Sequence, residues 1–321
     1  MRRSSVGATG AAIAVLFASV GCSNTPSTGQ ADASPPGAAT PEPSPTVAVT
    51  PSASASPTPD PTPSTDPAVP VQADFDPARF SDSATITNGW LPLQPGRRWV
   101  TDGVTLEGGE RIPHQITFTV TDLSKVISGV KTVVVWVEDI NDGELVEREI
   151  AFYGQDDDGT VWYFGEHPEE LEDGNVVAAP TWIAGLEDAR PGIKMFADPT
   201  THTQTYYQGW APKVEWSDFG RLDEAGLEDC VTSGCFADVV RFAESSDGEE
   251  GIFQLKSYAK GVGEIRTGWR GEAESREELE LKTTLTLSGA RLADVRRMAL
   301  DLEEHAYQIS PQVYGRTEPM Q

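Results

Sequence analysis

Apolar and polar residues alternate with a period of two over much of the chain after residue 100. In ITFTVTD, Ile116, Phe118 and Val120 fall on one face and Thr117, Thr119 and Thr121 on the other, the pattern of a strand with one face buried. LELKTTLTL repeats the scheme with Leu279, Leu281, Leu285 and Leu287. In TVVVWVED the run Val133 to Val137 is apolar throughout, which predicts a strand covered on both sides. Further strands are predicted at 145–153, 160–164, 204–208, 237–243, 252–259 and 263–269. Short strands bounded by turn residues, with no helical period between them, predict a mainly β fold: an antiparallel sheet forming a sandwich or an open barrel. One amphipathic helix is predicted near the C-terminus. After Ser288 and Gly289, the residues Leu292, Val295, Ala299, Leu302 and Ala306 recur at spacings of three and four, a stripe that packs on a sheet.

The stretch GQDDDGTVWYFGE sits between two strand-like runs, and an Asp-Gly pair in that position is a strong hairpin signal because glycine accepts positive φ. Three aspartates also raise the question of a calcium loop. With Gly159 as the turn glycine of an EF-hand, the first and twelfth ligand positions fall on Gly154 and Gly165, which have no side-chain oxygen. The remaining metal candidate is a looser calcium site from Asp156, Asp158 and Glu166, approached by the acidic segment 138–144; the turn reading is preferred, and no metal or other cofactor is assigned.

The N-terminus has a different character. Arg2 and Arg3 precede a short apolar run from Ala11 to Val20, followed by Gly21 and Cys22. That is the layout of a secretory signal, and the apolar stretch is too short to span a bilayer. A cysteine directly after glycine at the cut site resembles the lipobox of bacterial lipoproteins, with Ser19 departing from the usual aliphatic residue. The resemblance implies an acylated Cys22 and a lipid anchor on the extracytoplasmic face of the cell membrane. Residues 1–21 are read as the signal peptide and 22–72 as the lipidated cysteine and tether. From Ser23 to Gln72 there are 13 prolines and no aromatic residue, so the segment cannot bury enough apolar surface to fold. Fully extended it would reach about 150 Å. Residues 73–321 form one globular unit containing all eight tryptophans.

Once Cys22 is used, Cys230 and Cys235 remain, in CVTSGC. An exported protein sits in an oxidising compartment, and no further cysteine or histidine lies nearby to complete a zinc site, so a disulfide across a hairpin is expected. Setting aside the four acids and two arginines of residues 1–72 leaves 46 acidic against 22 basic side chains, a net charge of −24. Such a surface repels phosphate backbones and anionic lipid heads, which excludes nucleic acid as a partner and leaves membrane attachment to the anchor. The domain is expected to act as a monomer.

Four segments, NGWLPLQPGRRW, QDDDGTVWYFGE, ARPGIKM and KSYAKGVGEI, together resemble a family of uncharacterised bacterial secreted proteins and lipoproteins. Its members carry an Asn-Pro-aromatic-Phe-Pro-Leu-x-Pro-Gly start, a Gln-Asp-x-Asp-Gly-Asn-Val-Trp-Tyr-Phe-Gly-Glu centre and a Lys-x-Tyr-Ala-Pro-Gly-Val-Gly segment. The likeness spans roughly residues 75–278, and Gly89, Thr160 and Lys260 depart from it. It implies export and brings no catalytic residue.

Motif searches give no chemistry. SGVK (128–131) matches Ser-x-x-Lys but bridges two strands, and HPE (167–169) lacks the Pro-Cys-x-x-Cys partner of a zinc deaminase. His114, His202 and His305 are scattered and expected at the surface. Two functions remain. One is a tethered binding or scaffolding module that holds a small apolar ligand or a cell-envelope partner on Trp136, Trp162, Tyr163 and Phe164. The alternative is an extracytoplasmic hydrolase using paired carboxylates near Asp156 and Glu166. A cavity without buried acid favours the first, and one with two acids favours the second.

Overall fold

The computed structural model describes residues 69–273 and 275–321. The signal peptide, Cys22 and most of the tether lie outside the described residues. Among the described residues there are fourteen strands: β1 (Arg97–Glu107), β2 (Glu110–Ile127), β3 (Val130–Asn141), β4 (Glu144–Gln155), β5 (Val161–Glu172), β6 (Asn175–Ala178), β7 (Trp182–Ile183), β8 (Arg190–Met195), β9 (Tyr206–Ala211), β10 (Trp216–Val231), β11 (Gly234–Ser245), β12 (Phe253–Ala259), β13 (Gly263–Arg270) and β14 (Ser275–Thr286). They are followed by the helix α1 (Ala290–Ile309).

Twelve of these strands pair antiparallel in a ring, in the order β1, β2, β3, β4, β5, β8, β9, β10, β11, β12, β13, β14 and back to β1, while β6 and β7 both attach to β5. The mainly β fold with a C-terminal helix is thus observed, as a barrel and not a sandwich. The barrel is closed and not open, because the hairpin that joins β4 to β5 pairs Gln155 with Val161 and β1 pairs along its whole length with β14, which leaves no free edge in the ring. Twelve strands enclose more space than side chains fill in an eight-stranded barrel, so an interior cavity follows from the strand number.

Strand alternation sets which residues face inward. On β2 and β3, Ile116, Phe118, Val137 and Asp139 line the interior, with Ile116 opposite Asp139 and Phe118 opposite Val137. Of the all-apolar run on β3, Val133 to Trp136 are buried as expected, whereas Val137 faces the cavity and is half-buried. α1 packs from outside against β2 and β4 through Val295, Ala299, Leu302 and Ala306. Its docking is fixed by Lys125, whose Nζ lies 2.6 Å from Glu303 Oε1 and 2.6 Å from the carbonyl of Glu318. Glu303 also accepts from the backbone N–H of Met320, which ties the C-terminal tail to the helix.

The segment from Asn88 to Leu93 ties together the turns at one end of the barrel. Asn88 Oδ1 accepts from the N–H groups of Trp90 and Leu91, while its Nδ2 donates to the carbonyls of Gly159 and Phe196. Gly89 O accepts from Gly261 N in the β12–β13 turn, and Trp99 Nε1 donates to Val262 O. Three of the four segments that carry the family resemblance therefore meet in this plug.

Candidate functional site

The barrel interior holds a cavity of about 250 Å³. One wall is aromatic: Tyr153 stacks on Tyr163 at 4.8 Å, Tyr163 meets Trp216 at 6.1 Å, and Phe118 bridges Trp99 and Tyr153 at 5.8 and 6.2 Å. Leu91 of the plug closes on this wall. The rest of the lining is unusual for a barrel interior, with seven carboxylates against two lysines, Lys194 and Lys256. The buried polar groups sort into three clusters.

In the first, Glu166 on β5 accepts from Tyr163 Oη and, at 3.1 Å, from Trp182 Nε1. Burial raises its pKa, and burial followed by the charge of Glu166 raises that of Glu149 well above the usual carboxylate range. In the second, Lys194 Nζ and Lys256 Nζ stand 3.2 and 2.9 Å from the oxygens of Glu244, which also accepts from Gln208 Nε2 at 2.8 Å. Burial works to raise Glu244, but the two ammonium groups outweigh it and hold the carboxyl at about 2. Asp218 on β10 is pushed up to about 7 by burial and then by the Glu244 charge. In the third, His114 Nε2 lies 2.8 Å from Asp139 Oδ1, its Nδ1 lies 3.0 Å from Thr105 Oγ1, and Glu277 Oε1 is 3.9 Å from Nδ1. Burial and the Asp139 charge push Glu277 up to about 7, and burial together with Asp139 raises Glu147 strongly. For His114, burial lowers the pKa but the hydrogen bond and charge of Asp139 more than offset it. Glu149, Glu166 and Asp218 keep partial accessibility because each faces the cavity.

Of the aromatic residues singled out in the sequence, Tyr163 lines the cavity. Trp162 and Phe164, its neighbours along β5, point to the other face and pack against Phe75 and Phe80. Trp136 is buried, with Nε1 unpartnered. The calcium candidates are not brought together. Asp156 accepts from the backbone of Asp158 and Thr160 and from Trp162 Nε1, and it shares Arg79 with Asp158, whereas Glu166 faces the cavity. The Asp156–Gly159 stretch is a hairpin turn: Asp156 N donates to Thr160 O, Gly159 N donates to Asp156 O, and Gly159 has φ +89°. SGVK likewise supplies the β2–β3 turn, Ser128 and Gly129, and the first two residues of β3. Cys230 and Cys235 are bonded across the β10–β11 hairpin, where they face each other in register.

Two histidines depart from expectation. His114 is 3% exposed and part of the cavity cluster, and His305 is half-buried against Glu169; only His202 is exposed, stacked on Phe196. A signal for the third cluster was present in the alternation. His114 continues the Ile116–Phe118 series, Asp139 the Val135–Val137 series and Glu277 the Leu279–Leu281 series, so each is a titratable residue at an inward-facing position.

The sequence matches no protein-family model and no curated protein. Among solved structures, it resembles a protein from Bacteroides fragilis described as exported and as having a YmcC-like fold, at 12% identity and TM-score 0.35, covering 62% of this chain and all of that one. It also resembles a protein from Parabacteroides distasonis described as a lipoprotein, at 13% identity and TM-score 0.32, covering 61% of this chain and 97% of that one. Likeness at this level carries no functional information.

Proposed function

We propose that the chain is a lipid-anchored extracytoplasmic binding module whose barrel interior holds one small ligand with an apolar, aromatic-compatible body and a cationic group. The observation that carries this reading is the interior cavity of about 250 Å³ whose lining combines an aromatic wall with an excess of carboxylates. Stacked tyrosines offer a flat apolar surface and a face attractive to cations. Buried carboxylates whose pKa is raised give up that penalty when a cation arrives and lets them ionise. The Gly21–Cys22 site supports the anchor, and the proline-rich tether supports placement away from the membrane surface. An apolar ligand alone, the expectation from the aromatics, would leave the raised carboxyls of Glu149 and Glu166 without a countercharge.

The hydrolase reading draws on two observations: the cavity lining holds acids, which the sequence-based criterion counted in its favour, and the pKa values of Asp218 and Glu244 are pushed apart, to about 7 and about 2, as an acid and a base require. Glu244 is nevertheless already occupied by Lys194, Lys256 and Gln208, which makes it a weak base and a good structural anion. Binding is therefore the better account. Native mass spectrometry of the chain isolated from its own cell envelope tests it: a retained organic cation supports the reading, and a chain that is bare or carries an anion contradicts it.

A further inference from the structure

We propose that the His114 end of the barrel interior binds one first-row divalent metal ion through His114, Asp139 and Glu277. One ligand atom from each of these side chains lies within 4.8 Å of the others, and all three residues are buried. They are carried by separate strands, β2, β3 and β14, whose pairings on either side of β1 fix their spacing. Rigid strands hold a ligand set better than loops do.

A second, independent observation points to a missing partner at this place. Glu277 is 5% exposed, and its Oε1 has no hydrogen-bond partner. Gln254 Nε2 donates to the other oxygen at 2.9 Å, which leaves Oε1 free on the His114 side. Glu147, opposite Asp139 on β4, is also 5% exposed and also has an unpartnered oxygen, Oε2. Buried polar atoms are normally satisfied, and leaving a buried carboxylate oxygen unpaired is costly. The unpartnered Glu277 oxygen, 3.9 Å from the imidazole, is answered by a cation.

The donors select its class. One imidazole nitrogen with two or three carboxylate oxygens suits Zn²⁺, Mn²⁺ or Fe²⁺, whereas Ca²⁺ and Mg²⁺ are taken by sites made of oxygen alone. His114 faces Asp139 Oδ1 through Nε2 at 2.8 Å and Glu277 Oε1 through Nδ1 at 3.9 Å, Thr105 Oγ1 lies 3.0 Å from Nδ1, and Gln254 orients Glu277. Outer partners of this kind fix the tautomer and the direction of the ligands. This site does not depend on the organic cation proposed above, which is placed against the aromatic wall and Glu149 and Glu166.

Calorimetric titration of the chelator-stripped full chain tests the proposal. One equivalent of Zn²⁺ or Mn²⁺ should bind, while Ca²⁺ at the same concentrations gives no heat. His114→Ala and Glu277→Gln should each weaken Zn²⁺ binding by about 100-fold or more, and Gln254→Ala by about 10- to 100-fold. Replacing a buried imidazole can unfold a barrel, so the unmutated chain carries a second readout. Its electron paramagnetic resonance spectrum with one equivalent of Cu²⁺ should show coupling to a single nitrogen, unchanged in a His202→Ala, His305→Ala double variant. Absence of stoichiometric Zn²⁺ or Mn²⁺ binding, a copper spectrum with oxygen ligands only, or Zn²⁺ affinity that survives Glu277→Gln would overturn it.

Discussion

Asp156 shows how a residue that looks like a ligand is used up by its own turn. It is buried, and its two oxygens take the N–H groups of Asp158 and Thr160, the indole N–H of Trp162 and the guanidinium of Arg79. Asp156→Ala should therefore destabilise the domain by about 1–3 kcal/mol, because buried donors are left without an acceptor, and Gly159→Val by a similar ~1–3 kcal/mol, because a β-branched residue is forced to positive φ. Urea denaturation of each variant measures this. Calcium should leave the melting temperature of the parent unchanged; a calcium-dependent rise abolished by Asp156→Asn, Asp158→Asn would restore the metal reading of this loop. The residues facing the cavity were harder to recognise. The alternation marks His114 and Glu277 as inward-facing, but not as a cluster, because their partners Asp139 and Gln254 stand on other strands.

Among the elements, those with a clear period were legible: β2, β3, β4, β5, β9, β11, β12, β13, β14 and α1 overlap the predicted segments. The strands that went unpredicted carry a physical reason. β1 contains Gly103, where a Cβ would come within 1.8 Å of the Glu278 carbonyl, so the strands approach too closely for a side chain that would have completed the pattern. β10 shifts register three times against β11, and each bulge breaks the alternation. Closure was not legible because pairing of β1 with β14 joins residues far apart in the chain. Two elements can be tested by substitution. Removing the Cys230–Cys235 bond should cost about 2 kcal/mol or less, since the loop it closes is short; a Cys230→Ser, Cys235→Ser variant whose unfolding midpoint falls by much more than that would give the bridge a larger role. Glu303→Ala should cost about 3–5 kcal/mol, because Lys125 keeps its charge in a buried place without its counter-ion. Chemical denaturation, with loss of α1 docking followed by the fluorescence of the chain, reads that change.

For the whole molecule, the buried acids set the response to pH. Asp218 and Glu277 titrate near 7 in the folded state, and Glu147 and Glu149 are raised as well. A carboxyl whose folded pKa is raised binds more protons folded than unfolded, so its penalty grows as pH rises from its unfolded value to its folded one. Glu169 and Glu244 are held at about 2, and their contribution is lost as pH falls through the range between the ordinary glutamate value and about 2. The melting temperature should thus climb on acidification from about pH 8, peak near pH 5 and fall below about pH 4. A maximum above neutrality in calorimetric scans would show that the cavity acids are ionised and paired in the free chain.

The cavity as a chamber for an organic cation is tested most directly by a matched pair of probes. A phenylalkyl amine and the isosteric phenylalkyl carboxylate, each titrated calorimetrically into the chelator-treated full chain at neutral pH, differ only in the sign of the head group. The amine should bind at one site, more weakly by about tenfold or more in Glu149→Gln and Glu166→Gln, and the carboxylate should not bind. Equal affinity for the two probes, or binding of the carboxylate alone, would contradict the claim.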